Sequence, residues 1–117
     1  MTNYVDASSK LQGIELFIFP FEDCDAGSLE TIGKTVLSPK SPLRTGKNVD
    51  RMRSYWAGRS ALAIAFKRLG IKAWVQPNQE YGFLEVVNDS GKIYSDIFVN
   101  LSHTDSIVAV VLAPCPV

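Results

Sequence analysis

The chain has 117 residues, the size of one small domain. Its apolar share of 46% and charged share of 21% exclude wholesale disorder and fibrous repeats. Twelve Lys+Arg balance twelve Asp+Glu, so no global basic field steers nucleic acid, and any anion binding must come from local placement of charge.

Residues 1–6 offer neither a basic nor an apolar targeting segment, so no signal peptide is expected, and the polar stretch 1–12 is expected to fray. The apolar, aromatic-rich run 14–21 predicts a first strand with Pro20 at its exit. Ser28 to Thr31 begins a short helical turn that Ser38 and Pro39 end, and residues 40–48 read as a loop. The clearest helix runs from Asn48, a plausible N-cap, to Leu69 before Gly70, with Lys67 and Arg68 in the last turn where the dipole favours cations. At 100° per residue, Met52, Tyr55, Trp56, Leu62, Ala63, Phe66 and Leu69 share one broad face with Arg59. Gly58 beside Arg59 suggests a close approach there. Short strands are expected at 71–75, stopped by Gln76-Pro77-Asn78, and at 83–87; a turn at 88–91 leads into a strand at 92–101. The β-branched run 107–113 predicts a buried central strand. The order predicts an α+β fold, a long helix packed on a mainly antiparallel sheet. Runs 16–21 and 107–114 fall far short of the roughly 18 apolar residues a membrane span needs. Cys24 and Cys115 lack metal spacing, and isolated thiols without a secretory signal point to a cytoplasmic location.

Three segments could carry chemistry. His103, the single histidine, stands between two hydroxyls, Ser102 and Thr104. It is either a structural hydrogen-bonder or part of an anion pocket in which hydroxyls, turn amides and imidazole donate to phosphate oxygens. Nucleophilic catalysis is disfavoured, because neighbours on a strand point to opposite faces and Ser102 is badly placed to pass a proton to His103. Arg59 in an apolar stripe needs a partner. That partner is either an internal acid such as Asp96 or Asp105, or a ligand phosphate or carboxylate. Lys47, Arg51 and Arg53 gather at the helix start, either as a solvated charged end or as an anion site helped by unpaired N–H groups. No paired acids suggest a magnesium site, and no P-loop or dinucleotide glycine motif occurs.

Trp56-Ala57-Gly58-Arg59-Ser60-Ala61-Leu62, then Leu69-Gly70, Glu80-Tyr81-Gly82 and Asn100-Leu101-Ser102-His103-Thr104 before an apolar strand form an ordered set. In order and spacing, across residues 38–113, the set resembles the N-terminal half of a 4′-phosphopantetheinyl transferase of the long, two-lobed class. That family moves the phosphopantetheine arm of coenzyme A onto a serine of an acyl or peptidyl carrier protein, with magnesium. The resemblance implies that Ser102 and His103, with Thr104 beside them, contact the 3′-phosphate of coenzyme A. It also implies that Lys47, Arg51, Arg53 and Arg59 hold its phosphates and that Gly82 belongs to the same site.

Two departures stand out. Phe83-Leu84 replace a Lys-Pro pair common in the family. The family's acidic G-[IV]-D-x-E motif and its W-x-x-K-E-[AS] helix, which would hold magnesium and activate the carrier serine, do not occur within these 117 residues. The expectation is therefore a truncated or split lobe, inactive alone, that pairs with a second lobe or a second copy. The alternatives are a non-catalytic coenzyme A or nucleotide-binding domain, and a scaffold derived from that lobe. No nucleic acid or membrane partner is expected.

Overall fold

The computed structural model describes residues 4–7, 11–39, 41 and 48–116. Its elements run β1 Tyr4–Val5, β2 Glu15–Pro20, α1 Ala26–Lys34, α2 Val49–Leu69, β3 Trp74–Pro77, β4 Leu84–Val87, β5 Ile93–Tyr94, β6 Phe98–His103 and β7 Ile107–Ala113. The fold is α+β: β2, β7 and β6 form an antiparallel sheet with β7 central, and β1, β5, β4 and β3 form a second sheet that is antiparallel except for β1–β5. The helices pack against each other, and α2 lies on β2, β6 and β7. Among the described residues, no helix is long and apolar enough to cross a membrane.

The ends of α2 form for local reasons. The Asn48 side chain accepts a hydrogen bond from the Arg51 N–H at 3.0 Å, satisfying one of the helix's orphan donors. Gly70, at φ 67°, supplies the left-handed turn that closes the last turn onto the carbonyls of Phe66 and Lys67. α1 starts before the expected Ser28, because the Asp25 carboxylate caps it by accepting from the Ser28 N–H at 2.8 Å. That hydrogen bond, which favours the ionised carboxylate, holds Asp25 below its usual pKa.

The buried surface of α2 is wider than the expected stripe. Trp56, Leu62 and Phe66 are buried as the periodicity predicts, whereas Met52, Tyr55, Ala63 and Leu69 are only half-buried. A row of alanines at 57, 61 and 65 is buried instead, because α2 is covered by α1 as well as by the three-stranded sheet. The Ser60 hydroxyl, also buried, donates to the Leu29 carbonyl at 2.7 Å across the helix pair. Each large side chain in this core, Trp56 and Leu62 among them, contributes about 1.5–3 kcal/mol by leaving water.

The tight helix contact is at Gly33 of α1. A Cβ there would stand 2.9 Å from Trp56 Cε3 and 3.1 Å from the Trp56 carbonyl oxygen, whereas one at Gly58 would meet only Leu101 Cδ1 at 3.4 Å. Gly33→Ala therefore forces the helices apart at a backbone group that cannot rotate away. The expected loss is about 1–3 kcal/mol of stability, despite alanine's better helix propensity. Urea unfolding measures it, and an unchanged or higher midpoint would contradict this packing.

Four strand expectations are corrected. Tyr4–Val5 do not fray but pair in parallel with Ile93–Tyr94, tied further by the Ala7 N–H donating to Asp96 Oδ1 at 2.8 Å. The strand expected at 71–75 instead starts at Trp74 and runs through Pro77, and Ile71 is buried just after the Gly70 turn. Pro77 is tolerated at this strand end, where a missing N–H breaks no interior ladder bond. The single strand expected over 92–101 is two, because the chain leaves one sheet at Tyr94 and joins the other at Phe98. Finally, β7 is central but its two faces are unequally buried: Val108, Val110 and Leu112 are fully buried, while on the other face Ile107 is exposed and Ala109 and Val111 are half-buried.

Candidate functional site

Arg51, Ser54, Tyr55, Gly58 and Arg59 recur at i, i+3, i+4, i+7 and i+8 along α2, so they line one side of the helix. That side borders a cleft of about 550 Å³. The opposite wall comes from β6, β7 and the turn between them, with Leu101, His103, Asp105 and Val108, and Asp50 stands at the helix start. Pairing of His103 with Val108 and of Leu101 with Val110 turns these side chains to the same side of the sheet, toward α2. Two segments more than 40 residues apart in sequence thus bring two guanidiniums and the imidazole to one opening.

The imidazole is exposed, its Nδ1 3.3 Å from the Thr104 carbonyl oxygen, and it lies at the open end of the strand, not inside the core. Arg59 is half-buried, with its guanidinium carbon 4.3 Å from the centre of the Tyr55 ring. The same Tyr55 meets Trp56 edge-to-face at 4.9 Å. The guanidinium thus lies against an aromatic face while its residue lines the cleft, and its planar group suits a carboxylate or phosphate oxyanion. Arg51 is exposed near the helix start, where unpaired N–H groups add to the positive potential.

Three expected ligand residues have other placements. Arg53, expected as a phosphate ligand, is engaged with the backbone: its Nη2 donates to the carbonyls of Phe21 and Glu22, each at 2.7 Å, and of Cys24 at 3.0 Å. Its Nε also reaches Cys24 O at 3.2 Å, and the guanidinium lies 5.1 Å from the Phe21 ring centre. Two residues from Arg51, Arg53 points toward the β2–α1 connection and is absent from the cleft lining. Ser102 pairs with Ala109 and lines the outer face of the sheet, away from His103. The alternation that argued against a Ser–His nucleophile also separates Ser102 from this cleft. The Thr104 hydroxyl serves the hairpin, accepting from the N–H groups of Ser106 at 3.2 Å and Ile107 at 3.1 Å. Lys47 lies outside the described residues.

Gly82, with φ 79°, lines a second cleft of about 280 Å³ together with Leu37, Gln76 and Leu84. Tyr55 and Arg59 line both clefts, so the second adjoins the first across the stacked pair. The Tyr55–Arg59 spacing of four on a helix could have revealed this stack in the sequence. Asp50 and Asp105 are the lining acids that sequence reasoning did not place in the site.

Among the described residues, no group of three or more His, Cys, Asp or Glu side chains could hold a metal ion. Asp50 and Asp105 share the cleft with two guanidiniums and the imidazole. This donor set does not fit magnesium, which needs its own carboxylate ligands alongside substrate phosphates.

No known protein-family profile matches the sequence, and no curated protein matches it. Among solved structures, the chain is similar to a holo-(acyl-carrier-protein) synthase from Bacillus anthracis str. Ames, determined in complex with CoA (3′,5′-ADP). The two share 17% sequence identity and a TM-score of 0.48, over 88% of this chain and 96% of that one.

Proposed function

We propose that this chain is the coenzyme A phosphate-binding lobe of a 4′-phosphopantetheinyl transferase acting on an acyl or peptidyl carrier protein. The observation that carries the reading is the meeting of Arg51, Arg59 and His103 in one cleft. Arg59 and His103 belong to the two segments, Trp56-Ala57-Gly58-Arg59 and Asn100-Leu101-Ser102-His103, on which the family resemblance rests, and Arg51 lies two turns before Arg59 on the same helix. Two guanidiniums and an imidazole suit a phosphate monoester better than a neutral ligand, and the cleft is open enough to admit one at the end of a larger molecule.

Magnesium binding and activation of the carrier serine belong, on this reading, to residues other than those of the cleft. A second lobe or a second copy of the chain would supply them. Ile14, Leu16 and Ile18, exposed by 69%, 61% and 57%, give such a partner an apolar surface. Free cysteines at positions 24 and 115 accord with a reducing, cytoplasmic location.

Calorimetric titration of the chain with coenzyme A and with 3′-dephospho-coenzyme A tests the phosphate-binding role. Loss of a contact to a charged group is expected to weaken the dephospho ligand roughly tenfold or more. Equal affinity for the two ligands would overturn the assignment.

A further inference from the structure

Two clefts meet at Trp74, on a part of the surface that phosphate binding leaves unused. One, of about 430 Å³, has the buried Val36, Phe66 and Ile71 in its lining and Lys67 and Lys72 as its charged side chains. The other, of about 390 Å³, is lined by Ser38, Gln76 and the turn at 88–91, with Asp89 as its charged side chain. The same two stretches of chain wall both, residues 35–36 with 73–74 in the first and 37–39 with 74 and 76 in the second. The clefts are thus successive parts of one groove that passes the half-buried Trp74 ring. Its walls are tied together. The Ser38 N–H donates to the Val75 carbonyl at 3.0 Å, and the Val75 N–H to the Val36 carbonyl at 2.8 Å. The Ser38 hydroxyl donates to Gln76 Oε1 at 2.8 Å, and Asn88 Oδ1 accepts from the Ser90 and Lys92 N–H groups, each at 2.9 Å. A groove fixed in this way loses little further entropy on binding.

The charges along the groove are sorted by sign. Both lysines lie at its α2 end and Asp89 at the β4–β5 turn, with Trp74 between them. All three are exposed, and among the described residues no ion pair engages them. Lys67 complements the helix dipole, but Lys72 lies beyond the Gly70 cap, so the dipole does not account for the pair. We propose that this groove docks an extended peptide segment of a partner protein, with an acidic side chain at Lys67 and Lys72, an apolar one on Trp74 and a basic one at Asp89. Binding energy concentrates on large aromatic anchors of this kind, and the flanking charges set partner choice and register. The groove is separate from the phosphate cleft. Lys67 follows Arg59 by eight residues, about 12 Å along α2, and neither Trp74 nor either lysine lines that cleft. Docking here is therefore independent of coenzyme A binding.

Four terminally blocked hexapeptides are the probes. Glu-Glu-Leu-Phe-Lys-Lys and its reversed sequence sample both chain directions; Glu-Glu-Leu-Phe-Glu-Glu and Lys-Lys-Leu-Phe-Lys-Lys carry one sign of charge. Trp56 is buried, so a change in tryptophan emission on titration reports Trp74, and it should vanish in Trp74→Phe. The better of the two mixed peptides should bind the wild type roughly fivefold or more tightly than either single-sign peptide. Lys72→Glu should weaken that mixed peptide by roughly three- to tenfold and strengthen the all-lysine one. Asp89→Lys should likewise weaken the mixed peptide and strengthen the all-glutamate one. Both positions are exposed, and an exchange of preference, unlike a plain loss, does not arise from misfolding. Equal affinity for mixed and single-sign peptides, or an unchanged preference in both variants, would overturn the docking groove. Absence of binding by all four at about 1 mM would overturn it as well. So would sedimentation in which the chain self-associates and Lys72→Glu separates the copies, because the occupant would then be a second copy of the chain.

Discussion

Replacing Arg53 with methionine is expected to cost about 2–4 kcal/mol of stability, with a fall in Tm on the order of 10 °C. The guanidinium donates to three carbonyls, those of Phe21, Glu22 and Cys24, and covers the Phe21 ring. Phe21 is fully buried, and Cys24 directly precedes the Asp25 cap of α1. Methionine keeps the apolar stem but leaves those carbonyls without their charged donor, and the link from α2 to the β2–α1 connection is lost. Arg53→Lys should recover only part of the loss, because one ammonium cannot reproduce a planar fork spread over three acceptors. Below the lowered Tm, the affinity of Arg53→Met for coenzyme A should remain within about twofold of the wild type. A Tm within about 2 °C of the wild type, or a selective loss of coenzyme A binding, would return Arg53 to the ligand site.

Arg59→Gln is expected to weaken coenzyme A binding by roughly 10–100-fold, from loss of a charge-assisted contact of about 1.5–3 kcal/mol. The same substitution should bring coenzyme A and its 3′-dephospho form to nearly equal affinity. Arg59 also packs its stem against α1, where a Cβ on Gly33 would come within 3.0 Å of Arg59 Cβ, so its variant must be checked for folding by circular dichroism. Arg51→Gln provides the independent arm, since Arg51 is exposed and its removal disturbs no packing. It should reduce the same affinity ratio by a smaller factor, because an exposed cation is screened by solvent. An affinity ratio unchanged in both variants would contradict a phosphate held between them.

Much of the framework was legible where a local signal decides the outcome. Asn48 and Gly70 bound α2 because capping and a left-handed C-terminal turn are properties of a few neighbouring residues. The β-branched run at 107–113 was found at its full length because it is the middle strand of its sheet. What escaped depends on partners distant in sequence. Tyr4–Val5 become a strand only because Ile93–Tyr94 lie beside them. The break between Tyr94 and Phe98 reflects a change of sheet, which no period within 92–101 records. Ala57, Ala61 and Ala65 lie outside the expected stripe and are buried because α1 packs on α2.

The site divides along the same line. Of the expected ligand residues, Arg51, Arg59 and His103 line the larger cleft and Gly82 the smaller one, and the two clefts share Arg59. Ser102, Thr104 and Arg53 do not line the larger cleft, because a side chain's placement depends on the face it takes and the acceptors within reach. Strand alternation sends Ser102 to the outer face, the hairpin engages the Thr104 hydroxyl, and three carbonyls occupy the Arg53 fork.

With a single histidine in the chain, the imidazole Cε1–H proton gives one unambiguous NMR resonance. Titration with coenzyme A at fixed pH should displace that resonance progressively to saturation, and 3′-dephospho-coenzyme A at equal occupancy should displace it far less. A resonance that stays in place while coenzyme A binds elsewhere, or that moves equally with both ligands, would contradict a 3′-phosphate beside His103.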